Sequence, residues 1–174
     1  MKNIGVLLKA ALDVHYGCSG ATAACVVFES WENSSPAEVH RAVIPEAAGY
    51  RAGRFFEREL PGLQAVLEAA GREFESIVID GYVHLRGGAG KGLGQHLWEA
   101  LGCESEVVGV AKNPLKIAER FVPILRGRSI KPLFVSAAGC PLASARKAVL
   151  SMHGAYRIPT LLRLADRYAR WDGE

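Results

Sequence analysis

The alternation of apolar and polar positions divides the chain into a run of strands, then alternating strands and helices. Residues 10–16 and 21–29 are rich in small apolar and β-branched side chains, and the stretch 17–20 between them, bounded by glycines, supplies a turn, so the pair reads as a hairpin. Residues 38–44 read as a third strand, although Ser35-Pro36-Ala37-Glu38 also fits a helical capping box with proline at the first helical position. From Pro61 the period changes: Leu63, Val66, Leu67 and Ala70 recur at helical spacing and stop at Gly71, predicting an amphipathic helix over 61–70. Ser76-Ile77-Val78-Ile79 is an apolar run closed by Asp80-Gly81, as a buried central strand would be if its end faced a cleft. A helix over 90–101 follows, and 106–112 repeats the strand pattern, with Val107, Val108 and Val110 ending at Lys112. Residues 121–125 and 132–136 flank Arg126-Gly127-Arg128 as a second possible hairpin, and helices over 142–152 and 160–170 complete the chain. This order predicts an α/β domain of three layers, with a central mixed sheet flanked by helices.

At 174 residues the chain is long enough for one substantial core and short for two, so residues 1–174 read as a single domain. No apolar run approaches the roughly 18 residues of a membrane span. The apolar stretch near the start is closed too early by Lys9 to be a secretory signal, so a cytoplasmic protein without membrane association is expected. Cys18, Cys25, Cys103 and Cys140 form no Cys-x-x-Cys pair, which argues against zinc and redox motifs and for buried free thiols. A net charge of +3 is too small to announce a nucleic-acid binder by itself. The basic residues nevertheless gather at Arg51, Arg54 and Arg58, from Lys112 to Lys131, and at Arg163, Arg167 and Arg170, as solvated surface or as phosphate contacts.

Two acids sit at telling points. Asp13 interrupts the apolar strand Ala10-Ala11-Leu12-Asp13-Val14, and Asp80 ends Ile77-Val78-Ile79. A buried carboxylate must be hydrogen-bonded, paired with a cation or bound to a metal. If the two strands are neighbours, the carboxylates can converge on one hard cation such as magnesium. Glu59, just before Pro61, can reach the same spot, and Asp166 lies among Arg163, Arg167 and Arg170. Taken singly, each acid also reads as a helix cap or an arginine partner. A phosphate-loop reading of the glycine-rich segment 86–92 fails, because Leu85 stands where the first glycine belongs and Gly92 where serine or threonine would hold magnesium. Cys140 with His153 as base has no supporting motif.

The chain also carries Leu12-Asp13-Val14-His15-Tyr16, Tyr50 and Gly53 ahead of Phe56-Glu57-Arg58-Glu59-Leu60-Pro61, and Val78-Ile79-Asp80-Gly81 with His84 and Arg86. Further along stand Gly94-Gln95-His96-Leu97, Val108-Gly109-Val110-Ala111-Lys112, Lys131-Pro132-Leu133-Phe134-Val135-Ser136, Tyr156-Arg157-Ile158-Pro159 and Arg163-Leu164-Ala165-Asp166. In this order and spacing the pieces resemble the endonuclease V family, from about residue 9 to residue 170. The resemblance implies a ribonuclease-H-like fold and a magnesium-dependent endonuclease, with manganese as a possible substitute. Such an enzyme recognises inosine in DNA or RNA, nicks one bond beyond it on the 3′ side, and needs no obligatory protein partner. On this likeness Asp13 and Asp80 bind the metal, while Glu59 and Asp166 complete its site or position its waters. Lys112 stands near the scissile phosphate, His84 matches a strand-end histidine of the family, and Tyr50, Gly53 and Gly81 help form a pocket for an extruded base. The chain departs from the family at Gly49-Tyr50-Arg51-Ala52-Gly53, which lacks the prolines of a strand-separating wedge, at the short approach from Gly81 to His84, and at Ala138-Gly139-Cys140 in place of Pro-Gly-His. The helical segment that usually precedes the family's first strand has no counterpart. A different class stays open, a nucleic-acid-binding module that keeps the fold without cutting.

Overall fold

A computed structural model describes residues 6–18, 20–45, 55–87 and 90–171. Strand β1 (Lys9–Gly17) pairs antiparallel with β2 (Gly20–Phe28), and β2 pairs antiparallel with β3 (Glu38–Ile44). Of the two readings of the third segment, the strand is the one that forms. Glu38, which a capping box would have used, instead accepts a hydrogen bond from Arg72 at 2.6 Å and lies 2.8 Å from the His40 Nε2.

Helix α1 (Phe55–Ala70) begins well before Pro61, which the periodicity placed at its start. Proline lacks the N–H that would bond the Glu57 carbonyl, a loss worth about 3 kcal/mol in an unsupported helix interior. Packing supports the extra turns here: the Phe56 ring stacks on His96 with centroids 3.7 Å apart, and Leu60 packs against the core. The remaining elements are β4 (Ser76–Ile79), β5 (His84–Leu85), α2 (Leu93–Ala100), β6 (Glu106–Ala111), β7 (Ala118–Glu119), β8 (Phe121–Ile124), β9 (Leu133–Ala138), α3 (Leu142–Ser151) and α4 (Thr160–Arg170). Strands β5 and β7, two residues each, form a separate small sheet that no periodicity announces.

The main sheet has seven strands in the order β3-β2-β1-β4-β6-β9-β8. Only β1–β4 and β4–β6 are parallel, so the short, fully buried β4 lies between parallel neighbours at the centre, with antiparallel pairs on either side. Alternation along each strand then sorts the side chains into two cores. Ala10, Leu12, Cys25, Ile77, Ile79 and Val107 face α1 and α2, where they meet Leu63, Val66 and Leu97. Ala11, Val26, Val78, Val108, Val110 and Val135 face α3 and α4, where they meet Val149, Leu161 and Ala165. Each such fully buried aliphatic side chain stabilises the fold by roughly 1.5–3 kcal/mol. One expectation changes in this frame. All four cysteines are free, but only Cys25 is fully buried; Cys18 and Cys103 are exposed because they fall in turns. Among the described residues, no helix is long and apolar enough to cross a membrane.

Candidate active site

Strand register brings the first two acids together. Leu12 of β1 lies beside Ile79 of β4, so Asp13 and Asp80 follow one another off the same rung of a parallel pair. Pleating puts Asp13 on the face of Ala11 and Asp80 on the face of Val78, which is the side covered by α3 and α4. Lys112, just past β6, continues the parity of Val108 and Val110 onto that same face, and its Nζ donates to Asp80 Oδ2 at 2.7 Å. Asp13, Asp80 and Lys112, with Ile158 and Leu162 above them, line a cavity of about 20 Å³. That is room for one water molecule or one small ion.

The two remaining acids arrive from helices in opposite layers. On α4, Leu161 and Ala165 point into the core, which leaves Asp166 at the margin, where its Oδ1 accepts from Arg170 Nε at 2.8 Å. Glu59 comes from α1 and is 8 % exposed. It lies beside Tyr16, whose place on β1 follows from alternation: Tyr16 shares the face of Leu12 and Val14, toward α1. The Tyr16 hydroxyl donates to the Arg58 carbonyl at 2.8 Å, and the Arg58 guanidinium lies 3.6 Å from the centre of its ring. Tyr16 closes the Leu12-Asp13-Val14-His15-Tyr16 motif, and the signal that places it opposite Asp13 is its odd spacing from that residue.

Charge is concentrated at this point. Burial, then Asp80, push the Asp13 carboxyl up from 3.8 to about 7, against the pull of Lys112 and the Val14 N–H, and Asp166 raises it further. Burial likewise lifts Glu59 from 4.5 to about 7, with Asp13 and Asp80 adding to the rise while Tyr16 and Arg58 oppose it. Burial, followed by Glu59, holds the Tyr16 phenol above its usual range. Burial pulls Lys112 down, but its hydrogen bond to Asp80 and the charges of Asp80, Asp13 and Asp166 outweigh that and keep the ammonium firmly protonated. Carboxylates that raise one another in this way are short of positive charge.

That shortage decides whether the residues suit a divalent cation. Among the described residues, no three acidic, histidine or cysteine side chains stand as ligands around one point with the side chains as they are placed. Magnesium does not require three: it binds through one or two carboxylates and fills its other positions with water and substrate phosphate. Asp13 and Asp80 line one small cavity, and although Lys112 pairs with Asp80, burial and Asp80 still raise the Asp13 carboxyl, so the two fit that pattern.

The other candidates divide. His84 sits in the small sheet opposite Glu119, and its Nε2 lies 3.2 Å from the Ala137 carbonyl oxygen. Gly81 follows Asp80 with φ +147°, a backbone state that side-chain-bearing residues rarely adopt, so a glycine is needed for the chain to turn at the cleft. Tyr50 and Gly53 lie outside the described residues.

A seven-stranded mixed sheet between two helical layers, with one carboxylate inside β1 and another just past the end of its parallel neighbour β4, is a ribonuclease-H-like fold. The family model described as Endonuclease V matches residues 3–167, and the chain belongs to the endonuclease V family, which makes it a nuclease. An endonuclease V of Xanthomonas campestris pv. campestris is 31% identical over 193 aligned residues, covering 96% of this chain and 78% of the relative. The crystal structure of endonuclease V from Streptomyces avermitilis aligns with a TM-score of 0.76 at 28% identity, over 95% of this chain and 81% of that one. Endonuclease V of Ciona intestinalis, crystallised with a 24mer DNA containing an inosine followed by a ribo-adenosine, aligns at TM-score 0.78 over 95% of this chain and 85% of that one. At 20% identity the Ciona likeness is one of fold.

Proposed function

We propose that this chain is a magnesium-dependent endonuclease that hydrolyses a phosphodiester bond on the 3′ side of inosine in DNA or RNA. The observation that carries the reading is the convergence of Asp13 and Asp80 on one cavity beside Lys112. The inosine substrate is supported by family membership and by the inosine-containing DNA bound to the Ciona relative.

In this reading Asp13 and Asp80 hold the cation, and Glu59 and Asp166 orient water around it from the two helical layers. When bound, magnesium or manganese lowers the pKa of a coordinated water and offsets charge on the phosphate. Lys112 lines both the small cavity and the groove along α4, which sets its ammonium to stabilise negative charge developing on a phosphate there. Gly81, without a side chain at the turn beyond Asp80, lets the backbone approach a purine edge. Tyr50 and Gly53 complete that pocket in the proposal.

The test is a panel of inosine-containing single-stranded DNA, duplex DNA and RNA, each with magnesium, manganese or a chelator. Cutting one bond beyond the inosine that needs the cation supports the proposal. Binding without cutting under every metal condition replaces it with the non-cleaving module.

A further inference from the structure

The segment joining α3 to α4 presents a large aromatic side chain that the cleavage reading leaves unused. Tyr156 is 67 % exposed, yet the backbone beneath it is firmly held. Arg126, only 7 % exposed, donates through Nη1 to the Tyr156 carbonyl at 2.9 Å and through Nη2 to the carbonyls of Met152 and Gly154. Gly127, at φ +60°, lets the β8–β9 turn lie against this segment; a Cβ there would stand 2.2 Å from the Ala155 carbonyl oxygen. On the other side, Arg157 Nη2 donates to the Pro132 carbonyl at 2.8 Å and to the Lys112 carbonyl. Tyr156 is thus mounted on a segment tied directly to Lys112.

Its surroundings are those of a nucleic-acid strand. The Arg163 guanidinium lies 5.2 Å from the ring centre, and Arg163, Arg167 and Lys112 line one groove of about 440 Å³ along α4. Asp166 also lines it, but Arg170 meets its charge at 2.8 Å. An isolated exposed aromatic is ordinary surface. One on a firmly held backbone, in contact with an arginine that itself lines a cationic groove reaching Lys112, is the combination that single-strand binders use, because any base can stack on the ring while the cations track the phosphates.

We propose that Tyr156 is a base-stacking platform for the strand in the α4 groove: one base flanking the scissile phosphate stacks on its ring, while Arg163 and Arg167 hold the backbone. The inference rests on the nuclease reading above and deepens it by fixing the path of the strand. Stacking of this kind is tolerant of base identity, so Tyr156 sets affinity for unpaired strand and not the choice of inosine.

The test is fluorescence anisotropy of the full chain with an inosine-containing single-stranded oligonucleotide in chelator, beside cleavage in magnesium. Tyr156→Ala should weaken binding about 5- to 100-fold, the range of single base–aromatic stacks, and raise KM more than it lowers kcat. Tyr156→Phe should bind within about twofold of the natural chain, since the ring is retained. An abasic nucleotide moved along the strand should weaken wild-type binding at one position by a factor similar to Tyr156→Ala, and should cost that variant nothing further there. Equal affinity of Tyr156→Ala and wild type, with cutting intact, overturns this inference and leaves the nuclease reading standing. A loss in Tyr156→Ala that every abasic position compounds equally also overturns it. Failure of the wild type to bind these strands in chelator while it still cuts them in magnesium also overturns this inference, and failure to cut them in magnesium or manganese counts against the cleavage reading instead.

Discussion

Replacing Asp13 by asparagine isolates what it costs the fold to gather these carboxylates. Burial and the neighbouring Asp80 raise Asp13 from 3.8 to about 7. Well below pH 3.8 the group is protonated in the folded and unfolded chains alike, and it contributes no difference. As pH rises to about 7 the unfolded chain releases its proton while the folded chain keeps it, so stability falls across this window and the full penalty stands above it. At about 1.4 kcal/mol per pH unit the rise corresponds to at most roughly 4 kcal/mol. Titration shared with Asp80 and partial access to solvent reduce this to about 2 kcal/mol. Asparagine preserves the shape and the oxygen that accepts from the Val14 N–H at 2.8 Å, but it never ionises. Asp13→Asn should therefore abolish cleavage and yet melt about 4–8 °C above the wild type at pH 8 without metal, at about 2–4 °C per kcal/mol for a chain of this size. The advantage should vanish near pH 4. Melting curves followed by circular dichroism in chelator from pH 4 to 8 measure it directly, and added magnesium should raise the wild type while leaving the variant unmoved. A variant that melts below the wild type at pH 8, or an advantage independent of pH, refutes the crowding of charge around Asp13.

Asp80→Asn should reduce turnover at least about 100-fold while the far-ultraviolet spectrum stays native, since it removes charge beside Lys112 and little packing; wild-type turnover would exclude Asp80 from the metal site. Lys112→Ala should lower kcat by about 100-fold with a smaller change in KM, read from steady-state kinetics. Arg126→Met leaves the carbonyls of Tyr156, Met152 and Gly154 without their donor and should destabilise the chain by about 2–4 kcal/mol in urea unfolding. Lacking wedge prolines around Tyr50, the chain should cut inosine in single-stranded DNA or RNA faster than in duplex DNA, because no partner strand then competes for the base; equal rates on duplex would dismiss that preference.

The elements that could be read in advance are those whose signal is local. β1, β2, β4 and β6 are apolar runs bounded by glycine or charge, and they formed within a residue or two of the expected limits. The early turns of α1 were hidden because Pro61 imitates a helix start, and only the stacking of Phe56 on His96 shows why the helix runs through it. β5 and β7 were invisible, since two residues carry no period. Alternation was enough to put Asp13 with Ala11 and Tyr16 opposite them, but the proximity of Asp13 to Asp80 was conditional on the pairing of β1 with β4. That pairing joins segments more than sixty residues apart and leaves no local trace. His84 was singled out by family likeness alone, and its partners, Glu119 across the β5–β7 pair and the Ala137 carbonyl, are as distant in sequence and left no local trace either.

Glu59 and Asp166 come within electrostatic reach of Asp13 from helices on opposite sides of the sheet. Neither half of the molecule can therefore assemble the full set of acids alone. A chain with only α1 and α2 docked would hold Glu59 near Asp13 without Asp166, and one with only α3 and α4 docked would hold the reverse. If these four acids form the cutting centre, as proposed, a newly made or locally melted copy with only one helical layer docked lacks part of it, and a hazardous activity waits until both layers are in place.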